Sequence, residues 1–317
     1  MGRIEDALRR LEGSPAADTP PPAEPGATPD AAAPWTFDEA DRAERVDRTA
    51  LEPDARKIDT PQRVVPASSM LTGEGRLRLF RGFSGKMIER LVASRNAPPA
   101  LTEQFRRLAA TLHHAQLAQG IKVVAVTSAC ARDGKTLTAT NTALTLSQSY
   151  GRSVLLIDAD LRRPSLHETF QIPHVEGLNE GLKANSDRKL SLLQISDNLT
   201  LLPAGRPEAD PMSGLASERM KRILQEAAAR FEWVIVDTPP VGLLADATIV
   251  SGMVDATLLV VRAGETPFAD VEAAVAAIGR DRILGVVLNG VDPANVQAND
   301  YYYHYYSGRS GGGPPSR

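Results

Sequence analysis

The stretch Ile121-Lys122-Val123-Val124-Ala125-Val126-Thr127-Ser128-Ala129-Cys130-Ala131-Arg132-Asp133-Gly134-Lys135-Thr136 decides the fold. Its first half is an apolar run without alternation, which predicts a strand over 121–128 covered on both faces. Its second half is small and polar, and Gly134-Lys135-Thr136 opens a helical pattern that continues to residue 149. Strand, loop and helix in that order give the spacing of a phosphate-binding loop (P-loop), with Ala129 in the place of the first glycine. The chemistry accounts for the residue types. Backbone N–H groups of the loop and helix start point at phosphate oxygens. Lys135 brings a point charge to the β- and γ-phosphates, and Thr136 offers a hydroxyl to Mg2+. Ala129, Cys130, Ala131, Arg132, Asp133, Gly134, Lys135, Thr136 and Leu137 are the candidate nucleotide-binding residues. Nothing in the core needs a charge at 135, so Lys135→Met is expected to remove activity and leave the fold intact. Cys130 reads as a small residue that fits the loop rather than as a redox switch.

Two acidic segments extend this site. Val154-Leu155-Leu156-Ile157 runs into Asp158-Ala159-Asp160-Leu161-Arg162-Arg163-Pro164, and Trp233-Val234-Ile235-Val236 into Asp237-Thr238-Pro239-Pro240. Each places carboxylates at the C-terminal end of a predicted parallel strand, where ligands bind in open α/β sheets. A triphosphate with Mg2+ needs acidic oxygens there. Aspartates that only cap the following helices explain one such position well, and three facing one loop poorly.

Around these motifs, strands are predicted at 121–128, 153–158, 199–203, 233–237, 255–262 and 283–289, and helices at 135–149, 213–230, 244–251 and 267–279. Strand and helix in turn imply a doubly wound, mostly parallel α/β sheet flanked by helices, a P-loop NTPase fold, over residues 120–291. Before it, a short amphipathic helix is expected within residues 1–12, its pattern running over 3–12. Residues 13–35 hold seven prolines, and a disordered linker is expected over 13–75. A helical extension follows at 76–119, with Leu79, Phe83, Met87, Ile88 and Leu91 on one face and a second helix at 101–119. The chain has 317 residues and a net charge of −3, which gives no electrostatic reason to expect nucleic acid as a partner. Cys130 is the only cysteine, which excludes an intramolecular disulfide and suits a reducing cytoplasm. No apolar run reaches the ~18 residues of a membrane span.

Five of the six tyrosines stand in Tyr301-Tyr302-Tyr303-His304-Tyr305-Tyr306, within a Gly-, Pro- and Ser-ended segment over 292–317 that reads as a flexible tail. Together with Leu155–Pro164, His167, Asp237-Thr238-Pro239-Pro240 and Asp246, this resembles the bacterial tyrosine kinases of polysaccharide synthesis, especially the cytoplasmic autokinases associated with exopolysaccharide export. The resemblance covers residues ~98–306. It implies ATP and Mg2+ as cofactors, Lys135, Asp158 and Asp160 as catalytic residues with Asp158 as base, and Thr136, Asp158 and Asp237 as metal ligands. Val260–Gly264 and Val286–Asn289 resemble segments lining the adenine pocket, which adds Arg262 and Asn289 to the nucleotide site. It further implies Tyr301, Tyr302, Tyr303, Tyr305 and Tyr306 as phosphoacceptors and Glu103 and Arg106 as oligomer contacts. The partners implied are other copies of the chain, a separate transmembrane polysaccharide co-polymerase acting as activator, and a cognate tyrosine phosphatase. The location implied is cytoplasmic, at the inner face of the plasma membrane.

Three features depart from that family's pattern. Arg132 stands where glycine is easiest if φ is positive. Ala109 replaces the last arginine of a Glu-x-x-Arg-x-x-Arg helix. The transmembrane half of some relatives is missing. Two other readings stay open: a regulatory or partitioning P-loop ATPase, and a nucleotide-binding adaptor without kinase activity. Against the first, residues 123–134 contain no lysine.

Overall fold

The computed structural model describes residues 71–77, 80, 82–173, 175–184, 190–242 and 245–291. The 3–12 segment, most of the linker and the tyrosine run lie outside the described residues. Eight strands form one sheet: β1 (Leu71–Leu77), β2 (Val123–Ser128), β3 (Val154–Asp158), β4 (Leu190–Gln194), β5 (Leu199–Leu202), β6 (Trp233–Asp237), β7 (Ala256–Arg262) and β8 (Ile283–Asn289). Their order is β1-β4-β5-β3-β6-β2-β7-β8. Every neighbouring pair is parallel except β4 and β5. The longer helices are α1 (Pro99–Gln119), α2 (Lys135–Gln148), α3 (Glu218–Arg230), α4 (Ala245–Ser251) and α5 (Phe268–Ile278).

The continuous apolar runs are continuous because both faces of the sheet are covered. Alternate residues of each strand go to opposite layers. Val124, Val126, Leu156, Trp233 and Ile235 join Ala109 and Leu112 of α1 and Ala139 and Ala143 of α2 on one face. Val123, Ala125, Leu155, Ile157, Val234 and Val236 join Ile223, Leu224 and Ala227 of α3 on the other.

The six predicted strands and four of the predicted helices appear within a few residues, with three corrections. The helix expected over 213–230 is interrupted at Ala216, and α3 starts afresh because Ser217 Oγ accepts the Met220 N–H at 3.2 Å. The helix expected from residue 76 is only a turn at Gly85–Ile88. Phe83, rather than lining a helix, packs with Phe80 and Phe170, with ring centroids 5.1 Å apart for Phe80–Phe83, 5.5 Å for Phe83–Phe170 and 6.0 Å for Phe80–Phe170. The stretch 71–77, expected as linker to residue 75, is strand β1. Its Leu71 is buried, with its N–H donating to Glu226 at 3.2 Å and its carbonyl accepting from Arg230. No helix among the described residues is long and apolar enough to cross a membrane.

Helix α1 starts with proline at its first turn and stops at Gly120, in the left-handed conformation at φ 73°. Ala109 is fully buried on the face toward α2, so the departure from the arginine pattern lies in the core. Glu103, by contrast, is part-exposed, 4.0 Å from Arg106 and 3.7 Å from Arg107. Such exposed pairs contribute little to stability. Ala109→Arg should overpack this contact and bury a charge, costing at least about 2 kcal/mol. Denaturant melts of the two proteins check this; equal midpoints would mean that position 109 opens to solvent.

Candidate active site

Register builds the site. In the β3–β6 ladder Asp158 pairs with Asp237 as the last residues of their strands, so both carboxylates emerge at one level. Strand β2 lies against β6, with Val126 beside Asp237, and delivers the phosphate-type loop to the same edge two residues later. The Asp237-Thr238-Pro239-Pro240 segment is tied to that loop: Thr127 Oγ1 donates to the Pro239 carbonyl at 2.8 Å, and the Val241 N–H to the Ser128 carbonyl at 2.9 Å. Within the loop Arg132 adopts φ 71° and Gly134 φ 100°. The positive φ suspected for Arg132 is present, a conformation that costs a non-glycine residue roughly 1–2 kcal/mol.

Lys135 is the centre of the charge network. Its Nζ donates to Asp160 Oδ2 at 2.8 Å and to Thr136 Oγ1 at 3.3 Å, and stands 3.8 Å from Asp237 Oδ1. Thr136 Oγ1 donates to Asp237 Oδ2 at 2.7 Å and accepts from Ser165 Oγ at 3.4 Å. Asp158 lies behind this row. Its Oδ2 accepts the N–H groups of Ser165 and Leu166 at 3.2 and 3.1 Å, and its Oδ1 that of Asp160 at 3.2 Å. Lys135, Thr136, Asp158, Asp160 and Asp237 thus form one connected group. Ser165, which sequence reading did not single out, belongs to it.

Burial, and next the charge of Asp237, push the Asp158 carboxyl well above the usual carboxylate range. Burial likewise raises Asp237, against the pull of Lys135. For Lys135 burial works downward, but the carboxylates of Asp237 and Asp160 outweigh it and raise the ammonium. The group therefore holds its protons tightly, and a further cation would relieve it.

The remaining candidates sit around the loop. Arg262 and Asn289 pair in the β7–β8 register and reach the back of the loop. Asn289 Nδ2 donates to the Asp133 carbonyl at 2.8 Å, and Arg262 Nη1 to the Arg132 carbonyl at 3.2 Å. Thr266, also not singled out from sequence, donates to Asp133 Oδ1 at 2.9 Å. Cys130 Sγ donates to Asp270 Oδ2 at 3.3 Å. Burial and then Asp270 push its thiol up to about 11, so it stays protonated and unreactive at neutral pH. Ala129 is buried, Ala131 and Arg132 are exposed, and Leu137 packs on the core from the first turn of α2. Arg162 clamps Asp246, Nε to Oδ2 at 2.6 Å and Nη2 to Oδ1 at 3.2 Å, tying the β3 loop to the start of α4.

A hard divalent cation fits this donor set. Asp237 Oδ1 is buried and receives no hydrogen bond, while Asp237 Oδ2 and Thr136 Oγ1 lie 2.7 Å apart. Among the described residues no three His, Cys, Asp or Glu side chains would hold a metal by themselves.

The ion pairs of Lys135 revise one expectation. Lys135→Met strands two buried carboxylates, so it disturbs stability as well as chemistry. The cost should be about 3 kcal/mol near pH 8.5. The sign follows from proton counting. Carboxyls raised in the folded state bind protons there that the unfolded chain has already lost, so stability falls as pH rises above the ordinary carboxylate value. The penalty should therefore shrink near pH 6, where Asp158 is more protonated. Urea melts at both pH values measure it; a penalty independent of pH would mean that the carboxylates are not the cause.

Residues 121–307 match the family model described as cellulose biosynthesis protein BcsQ. The chain is 33% identical over 222 residues to the tyrosine-protein kinase YwqD of Bacillus subtilis (strain 168), covering 69% of this chain and 93% of YwqD. It is 28% identical over 259 residues to the tyrosine-protein kinase Wzc of Salmonella typhi, covering 78% of this chain but only 36% of Wzc. Among solved structures, the kinase domain of the Escherichia coli tyrosine kinase ETK superposes with a TM-score of 0.55 at 30% identity, covering 59% of this chain and 74% of that one. YwqD is matched along nearly its whole length, and the phosphate loop with its paired aspartates falls inside the stretch that the family model matches. The chain belongs to the family of bacterial tyrosine-protein kinases.

Proposed function

We propose that this chain uses ATP and Mg2+ to phosphorylate the tyrosines at 301, 302, 303, 305 and 306 of its own C-terminal segment, in the service of exopolysaccharide synthesis or export. The observation that carries this is the joining of Lys135, Thr136, Asp158, Asp160 and Asp237 at the phosphate loop in a chain with five of its six tyrosines in one run. Mg2+ bound at Thr136 and Asp237 would neutralise the triphosphate and polarise its terminal phosphorus.

The residues divide the work. Lys135 leaves Asp160 to meet the β- and γ-phosphates. Asp158 receives the phenol proton. A tyrosine hydroxyl with a pKa near ~10 needs such help, and a carboxylate raised by burial is a stronger base than an ordinary one. The phenol oxygen bonds to the γ-phosphorus, the bond to the β–γ bridging oxygen breaks, and ADP leaves with that electron pair. Three backbone N–H groups hold Asp158 in place, so it has no orientation to lose at that moment.

Each new phosphate adds roughly −1.5 to −2 charges, so a filled run repels its neighbours and loosens self-association. The part-exposed Glu103 and Arg106 are the proposed contact between copies. A separate transmembrane activator recruits the chain to the inner face of the plasma membrane, and a tyrosine phosphatase resets it.

Incubation with ATP and Mg2+, followed by mass spectrometry of the C-terminal peptide, should show phosphotyrosine. Asp158→Asn should slow its appearance ~10²–10⁴-fold. Asp158→Asn protein mixed with active protein lacking residues 300–317 should be labelled if transfer runs between molecules. A wild type that hydrolyses ATP without phosphotyrosine would make the chain a regulatory ATPase, and one that only binds nucleotide would make it an adaptor.

A further inference from the structure

The phosphate loop is held from behind, by groups that stand far from it in sequence. Asp133 is the hub. It is 3% exposed, and three of its oxygens are used. Oδ2 accepts the Cys130 N–H at 2.8 Å, Oδ1 accepts the Thr266 hydroxyl at 2.9 Å, and the carbonyl accepts Asn289 Nδ2 at 2.8 Å. Thr266 Oγ1 is itself fixed by the Arg262 N–H at 2.9 Å. The Arg132 carbonyl accepts from Arg262 Nη1 at 3.2 Å. A Cβ on Gly134 would stand 1.9 Å from Asn289 Nδ2, so the amide rests directly on that glycine.

Planarity turns these bonds into aim. In a trans peptide the C=O and the following N–H point in opposite directions. With the Arg132 and Asp133 carbonyls turned toward Arg262 of β7 and Asn289 of β8, the N–H groups of Asp133 and Gly134 turn away from those strands. A loop with positive φ at both Arg132 and Gly134 has little intrinsic preference for that arrangement. Something outside it must choose.

We infer that Thr266 and Asn289 are positioning residues for phosphate recognition: through Asp133 they set the peptide planes of the loop, and they govern affinity for the phosphates rather than for the base. The inference rests on the nucleotide reading of the site. It separates from a direct base contact by what is lost when the groups are removed.

The test is calorimetric titration of wild type, Thr266→Val, Thr266→Ser and Asn289→Ala with adenosine, ADP, ATP and GTP in Mg2+, beside amide hydrogen exchange of residues 129–137 in nucleotide-free protein. Thr266→Val and Asn289→Ala should each weaken ADP and ATP roughly five- to tenfold, the weight of one hydrogen bond. Adenosine affinity and the ATP-to-GTP ratio should stay within about twofold, Thr266→Ser should restore the wild-type values, and the loop amides of both weakened variants should exchange faster. Equal losses for adenosine and ATP, or a changed ATP-to-GTP ratio, would overturn the inference in favour of a base contact. Unchanged exchange and affinity would overturn it outright. If the wild type binds none of these nucleotides while Asn289→Ala still accelerates loop exchange, the nucleotide reading fails and the positioning contact stands.

Discussion

The pairing of Asp158 with Asp237 across β3 and β6 is the constraint on which the rest of the molecule turns. In a parallel sheet a shift of one residue moves every side chain of a strand to the opposite face. Here such a slip would send Leu155 and Ile157 into the layer now held by Leu156, and would part the carboxylates that share the loop with Lys135. Core and site are therefore specified by the same ladder. The apolar residues that alternate between the two layers fix the register, and the aspartates at the strand ends inherit it. The β7–β8 register does the same for Arg262 and Asn289.

Lys135 stabilises the crowding of aspartates. Three carboxylates within reach of one ammonium would otherwise have to protonate or spread apart, and burial makes both costly. On the proposed function, the ammonium that neutralises these carboxylates is the one a triphosphate would claim, and binding would exchange Asp160 for phosphate at Lys135.

How much of this was legible in the sequence depended on distance along the chain. The phosphate loop and its acidic strand ends could be read because the residues that act together there also stand together, or end neighbouring apolar runs. Strand β4 could have been found from the Asp197-Asn198 turn that joins it to β5. Strand β1, with Gly73, Glu74, Gly75 and Arg76, could not, because its residues have little strand preference and only pairing with β4 makes them extended. The supports of Asp133 were hidden for another reason: Thr266 and Asn289 lie 133 and 156 residues away from it. Thr266 precedes a proline at the start of α5 and reads locally as a helix-entry residue, with nothing to announce its second bond. Arg262 and Asn289 were found only through the family resemblance, and their observed partners are in the loop itself.

The order of the sheet has one more consequence. The first described strand, β1, is at one edge and the last, β8, at the other. Seven interstrand spacings of about 4.8 Å separate them, on the order of 34 Å. The phosphate loop follows β2, two strands in from the β8 edge and five from the β1 edge, so the two edges of the sheet are not equivalent: a group held at β8 stands within about 10 Å of the loop's strand, and one held at β1 about 24 Å from it.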